Sequence, residues 1–403
     1  MNLVKNEIKK IILSKKYIIA MSIFLILYSG VTFLICRDTM NLKPEILLNK
    51  NKTYMEYLKK EKKSGGASQK RKAEIDNTIT EIEMHNESLR FEVKNKNINW
   101  RKRLIKQNKD LNKQLNLERE KDNVRKVATY NQEVKTNEYY LKHNIEPTLN
   151  YEITAFNIMP KVNIFVGLLI ISVIIAIIVS DSVSGEFNSS TIKLLLTKPV
   201  SREQVLFSKF LASIITCVLS FMIVEVLVFI ILGMVFKFGS FKEPIVFYSN
   251  YIKDRDMIAK TGFGVLPDLN SLKICSIMKL TVLSELFNIL FITCMVSLCI
   301  LFSTLAKKSS TSISISVILF SIISVLTTSQ LDGGAKKNGI LGAFMPYLFS
   351  SYSSGEFIVT REIVKKLGVD FVNVPFIIGI LIAWTVVCYA VSNFIFTRKD
   401  ILS

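Results

Sequence analysis

An all-α, polytopic membrane fold with six membrane-crossing helices is predicted by three observations. Half of the 403 residues are hydrophobic although the formal net charge is +19. The apolar residues collect in uninterrupted runs, where a soluble helix or strand would show short periodic stretches. Five of the six cysteines, Cys36, Cys217, Cys294, Cys299 and Cys388, lie inside those runs, and Cys275 sits just before one. This distribution excludes a disulfide framework, and the absence of paired C-x-x-C spacing speaks against a zinc site.

A hydrocarbon layer of about 30 Å requires roughly 20 helical residues at about 1.5 Å rise. Residues 17–36, 162–180, 211–236, 277–305, 313–330 and 374–396 meet that requirement. Lys5, Lys9, Lys10, Lys15 and Lys16 precede the first run in the manner of a signal peptide. The run is too long for a signal h-region and no small-residue cleavage site follows, so it is read as an anchor. Residues 1–36 then form an N-terminal amphipathic helix, at about 3–14, and the first span.

Orientation follows from Lys and Arg in the short loops. The N-terminal lysines, Lys193, Lys198, Arg202 and Lys209, the pair Lys307–Lys308, and Arg398–Lys399 all fall on one side. That side is expected to be cytoplasmic, with both termini inside and the segments 37–161, 237–276 and 331–373 outside. Residues 41–150 carry 25 Lys and Arg against 16 Asp and Glu. Loops longer than about 60 residues translocate largely regardless of charge, so the surplus does not reverse the assignment.

The 37–161 segment is expected to form an extracellular helical hairpin. Ser64-Gly65-Gly66-Ala67-Ser68 reads as a turn, and Ile75, Ile79, Ile82, Leu89 and Val93 then recur in steps of three and four with Asn86 in the seam, a coiled-coil spacing. The pattern falters at 95–99 and resumes through Leu104, Leu111, Leu115, Val124, Val127 and Val134. No basic-aromatic interleaving or groove-reading motif accompanies the positive charge, which excludes nucleic acid as the expected partner. Either a solvated basic face or contact with membrane lipid headgroups or wall polymers is consistent with it.

The remaining residues, 162–403, carry five spans and a patterned linker between the second and third. Phe187, Thr191, Leu194 and Leu195 fall at i, i+4, i+7 and i+8, an apolar stripe on a short helix over about 185–197, ended by Pro199. Such a helix lies in the membrane interface or presents a knob to a soluble partner. Within the spans, Glu225 sits near the middle of the third and Glu285 in the outer part of the fourth, and a carboxylate at mid-bilayer costs about 2.5–3.5 kcal/mol. Glu225 touches a cationic substrate or is protonated and hydrogen-bonded between helices. Ser314, Ser321, Ser324 and Thr328 follow a heptad stripe in the fifth span, suited to close helix contact or to a polar translocation surface.

Catalytic machinery is not expected. His85 and His143 are the only histidines, both far from any ligand-spaced cluster. No G-x-x-x-x-G-K-[ST] occurs, so no phosphate-cradling loop is present. The glycine-rich stretch at 333–339 lacks the spacing.

The order Glu186, Thr191, Leu194, Leu195, Pro199, Ser201 and Arg202, with Lys209 opening the next span, resembles the signature of the ABC type-2 exporter permeases. It departs from the common pattern in having Ser190, where the family often has Gly, before the threonine. The resemblance extends to six spans with both ends inside. It implies a non-catalytic membrane subunit in a bacterial plasma membrane, paired with a second permease copy or homologous permease and with two ABC ATPase subunits. Glu186, Phe187, Thr191, Leu194, Leu195, Pro199 and Arg202 are the implied ATPase-coupling residues, with ATP and Mg held by the ATPase and no cofactor or metal on this chain. The implied cargo is a peptide, a drug-like or another amphipathic molecule, or sodium. The competing expectation is a non-transporting envelope sensor or scaffold with an external coiled coil.

Overall fold

A computed structural model describes residues 2–63, 69–94, 99–188, 201–332 and 339–398. The chain starts with a short amphipathic helix, α1 (Asn2–Ile12), turned by Ser14 into the long α2 (Lys15–Met40). The Ser14 hydroxyl accepts the Tyr17 amide at 3.2 Å, satisfying one of the free N–H groups at the head of α2. The first span thus runs four residues beyond the apolar run, to Met40.

Two helical hairpins follow, where the sequence suggested one. Helices α3 (Pro44–Lys63) and α4 (Gln69–Lys94) form the first, and α5 (Trp100–Glu120) and α6 (Val124–His143) the second. Ile75 and Leu89 are buried in the first, and Leu104, Leu111, Leu115, Val127 and Val134 in the second. Each hairpin carries a half-buried amide pair: Asn51 donates to the buried Asn86 at 2.7 Å, and the buried Asn137 to Asn108 at 2.9 Å. Such pairs set register, because sliding the helices leaves both amides unsatisfied. Of the faltering stretch, residues 95–98 lie outside the described residues, and Asn99 caps α5, its side chain accepting the Arg101 amide at 2.9 Å.

The chain re-enters the apolar layer through α7 (Ala155–Leu169) and α8 (Ile171–Val179), bent by 54° at the break between them. Near the bend the backbone of Ser353 lies directly against Gly167, where a Cβ would stand 2.4 Å from the Ser353 carbonyl oxygen. After the short α9 (Ser184–Asn188) the third span is α10 (Arg202–Val235), headed by a Ser201–Gln204 capping box.

Residues 237–276, expected only as a loop, contain two short antiparallel ladders and a helix. In the first, β1 (Pro244–Tyr248) pairs with β4 (Leu272–Ser276), Pro244 facing Ser276 and Tyr248 facing Leu272. In the second, β2 (Tyr251–Lys253) pairs with β3 (Val265–Pro267), on either side of α11 (Arg255–Thr261). Helix α6 docks on this sheet: Gln132 Nε2 donates to the Val246 carbonyl at 3.1 Å, and Tyr248 Oη to that of Ala128 at 3.0 Å.

Helices α12 (Ile277–Leu305) and α13 (Ser309–Asp332) are the fourth and fifth spans. Then α14 (Gly339–Phe344), α15 (Gly355–Val359) and α16 (Glu362–Leu367) precede the sixth, α17 (Val374–Arg398). Among the described residues, five helices are long and apolar enough to cross a membrane, and the bent pair counts as a sixth when taken as one span. The protein is an all-α, polytopic membrane protein in which the short ladders are an embellishment. Phe24, Tyr28, Ile158, Ile175, Phe221, Phe291 and Met295 fill the centre of the bundle. Exposed Ile26, Phe33, Ile231, Met234, Ile318 and Val387 cover its outside, which only an apolar surrounding tolerates on this scale.

Candidate functional site

The linker after α8 is anchored by the ends of three helices. Ser303, near the end of α12, accepts the Val183 and Ser184 amides, each at 3.0 Å. Ser309, at the start of α13, donates to Asp181 at 3.1 Å, and Ser312 donates to the Ser180 carbonyl. Lys16, at the head of α2, pairs with Asp181 and donates to the Ile178 carbonyl at 2.9 Å. Backbone groups freed where α8 ends are in this way taken up by hydroxyls and an ammonium.

The next acidic residue, Glu186, is bound more tightly. Its carboxylate pairs with Lys209 of α10, and the two side chains are 4% and 2% exposed. Lys10 of α1 reaches the same Oε1 at 2.7 Å, and Lys209 also reaches Glu7 of α1 at 2.9 Å. A buried ammonium with two carboxylate partners offsets a desolvation cost that a single partner would not. The network ties the N-terminal helix, the start of the linker and the third span into one unit.

Arg202 lies apart from that network. Its Nη1 donates to the Thr397 carbonyl at 2.9 Å, joining the head of α10 to the tail of α17. Phe187 belongs to α9. Thr191, Leu194, Leu195 and Pro199 lie outside the described residues.

A second polar cluster sits inside the bundle, and it brings together Glu225 and Glu285. The two carboxyl groups, from α10 and α12, are neighbours. Asn163 of α7 and Asn288 of α12 each donate to Glu285 Oε1 at 3.4 Å. The Tyr28 hydroxyl donates to Asn163 at 2.5 Å, and the Gly355 amide to Asn288 at 3.0 Å. A third carboxyl, the buried Glu356 of α15, accepts from Ser354 at 3.1 Å. Gly355 permits this approach, since a Cβ there would stand 2.2 Å from the Ser284 carbonyl oxygen.

The hydroxyl stripe of the fifth span is split. Ser324 is buried, Ser321 and Thr328 are half-buried, and Ser314 is exposed. The buried line runs instead through Ser312, Ser316, Phe320, Ser324 and Thr327. Thr327 shares a hydrogen bond of 2.7 Å with Ser350 of the segment before α15.

Sequence reasoning singled out Glu186, Glu225 and Glu285 but not the residues they meet. Glu7, Asn163, Asn288 and Glu356 carry no local signature, although a lone acid among the lysines of α1 was a signal open to use.

A family model described as ABC-2 family transporter protein matches residues 1–401. The chain belongs to the ABC-2 transporter family. It is also 31% identical over 140 residues to the uncharacterised protein YhcI of Bacillus subtilis (strain 168). That match takes in 34% of this permease and 42% of the length of YhcI, so the chain spans less than half of that relative. Membership makes this permease a multi-pass membrane protein, and the network around Glu186 falls at the start of the linker that carries the family-like pattern.

Proposed function

We propose that the permease couples ATP hydrolysis by a separate ABC ATPase to outward movement of a peptide, drug-like or other amphipathic substrate. The observation that carries this reading is the buried Glu186–Lys209 pair with its α1 partners. A linker fixed so firmly at its root transmits displacement to α1 and α10 instead of absorbing it. The apolar stripe through Thr191, Leu194 and Leu195 is the surface offered to the ATPase, which supplies ATP and Mg. Two permease copies and two ATPase copies make up the transporter, and this chain itself is not an enzyme.

Topology belongs to the same proposal. The lysines of α1, Arg202, Lys209 and the Lys307–Lys308 pair mark the cytoplasmic side of a bacterial plasma membrane, with both termini inside and both hairpins outside. The hydrogen bond from Asn163 of α7 to Glu285 of α12 favours an interhelical role for the cluster over direct recognition of a cation such as sodium.

Reconstitution of the permease with its ATPase in liposomes tests the reading. ATP-dependent efflux of an amphipathic peptide, with substrate-stimulated hydrolysis, is expected. Hydrolysis or signalling without net flux would replace it with a sensor or scaffold.

A further inference from the structure

A cavity of about 970 Å³ lies between α6, the ladder strands β1 to β3, α16 and the last turn of α13. Its volume is that of a site for a drug-sized or single-chain lipid ligand. Val246, Phe247, Met257, Phe263 and Leu331 supply apolar wall. Arg125, Lys365 and Lys366 face it with one carboxylate, Glu362, so its lining carries a cationic excess. Arg125 is held by Asp254 at 2.7 Å, and Lys366 stands 4.7 Å over the Phe357 ring, which fixes two of the three cations in place. Lys365 is exposed.

A second observation points the same way. Arg361 is buried and sits at a left-handed φ of 60°, a conformation costly for a residue with a Cβ. Nε donates to the Ser249 carbonyl at 3.2 Å and Nη2 to that of Val372 at 2.8 Å, while the buried Nη1 has no acceptor among the described residues. Its sequence neighbours Thr360 and Glu362 and its electrostatic neighbour Tyr251 all line the cavity. A strained, incompletely compensated guanidinium directly behind the wall adds to the positive potential within.

We infer that this cavity binds an anionic amphiphile, one apolar chain bearing an anionic headgroup, with the chain against Phe247, Phe263 and Leu331 and the headgroup toward Lys365. Binding goes beyond the transport reading and does not depend on the ATPase. An outer-leaflet phospholipid and a free single-chain amphiphile share this chemistry.

The test uses the full chain in phosphatidylcholine nanodiscs and a lysophosphatidylglycerol probe with a diazirine in its acyl chain. The matching lysophosphatidylcholine probe is the comparator. Photolabel is expected on α6 and α16, with preference for the anionic probe. Lys365→Glu, at an exposed position, is expected to weaken the anionic probe about tenfold and leave the zwitterionic one unchanged. Thr129→Trp, which narrows the cavity from α6, should weaken the anionic probe without any change of charge. Equal affinity for the two probes, or anionic labelling indifferent to both substitutions, overturns the inference. Displacement of the probe by phosphatidylglycerol built into the nanodisc assigns the occupant to the leaflet; retention assigns it to the external solution.

Discussion

The ammonium of Lys209 and the carboxylate of Glu186 form an ion pair that is almost completely buried, 23 residues apart in sequence and on opposite sides of the linker. Breaking a buried pair from one side strands the other charge, typically at about 3–5 kcal/mol. Glu186 retains Lys10 when Lys209 is lost, so Lys209→Met is expected at the lower end, about 3 kcal/mol. Lys10 is more than half exposed, and Lys10→Met should cost no more than about 1 kcal/mol. Thermal unfolding of both variants in detergent checks the order, and equal losses would contradict it.

In the first hairpin, Asn86→Leu leaves the Asn51 amide without its partner at a cost of about 1–3 kcal/mol. The double variant Asn51→Leu/Asn86→Leu removes both polar groups and is expected to recover most of that loss. A double-mutant cycle on the full chain measures the coupling, and strict additivity would show that the amides do not interact.

For the intramembrane cluster, Glu225→Gln is expected to fold and to keep ATPase coupling, because a neutral amide of the same size takes the place of the carboxyl beside Glu285. Glu225→Lys places an ammonium among Glu285, Asn163 and Asn288 and is expected to lower transport. Loss of transport restricted to cationic substrates in Glu225→Gln would instead indicate direct recognition.

Glu243, in the loop before β1, receives the Tyr140 hydroxyl at 3.1 Å, and burial raises its carboxyl above the ordinary value against the hydrogen bonds that lower it. A raised pKa in the folded state means that folding takes up a proton. The resulting stabilisation is complete below the unfolded value and is lost as pH rises through the folded one. Hydrogen exchange of α6 should therefore slow on acidification from neutral pH, and Glu243→Gln should flatten the dependence. Exchange of α6 that keeps the same pH slope in Glu243→Gln would assign the effect elsewhere.

Run length made the spans legible, since six apolar stretches have few alternatives in water. Asn86 was legible too, as a polar residue interrupting a three-four repeat. The bend at Ile170 was not, because its neighbourhood is uniformly apolar and the backbone that presses on Gly167 comes from Ser353. Strands β1 and β4 are short segments beside spans, where no alternation can accumulate. Glu7 and Lys209 are separated by 202 residues, so only the folded chain makes them neighbours. Glu356 sits in a five-residue helix that resembles any polar turn until Gly355 is found against Ser284.

Sidedness is open to thiol labelling. With Cys275→Ser as background, Lys113→Cys on α5 should react with an impermeant reagent in intact cells, whereas Lys9→Cys on α1 should react only after permeabilisation. Both positions are exposed, so access depends on the membrane alone. The reverse pattern would place the hairpins inside.

The central claim is that the linker beginning at Glu186 docks an ABC ATPase, and affinity purification in mild detergent tests it most directly. The wild-type permease is expected to bring down an ABC ATPase in near-equal amount. Leu194→Asp puts an unpaired charge on the apolar stripe, a loss of several kcal/mol if a partner covers it, and should release the ATPase a hundredfold or more, about 3 kcal/mol. Lys193→Gln, beside the stripe, should retain it. Recovery of the ATPase with Leu194→Asp at the wild-type ratio, or no ABC ATPase with the wild-type chain, would contradict the account.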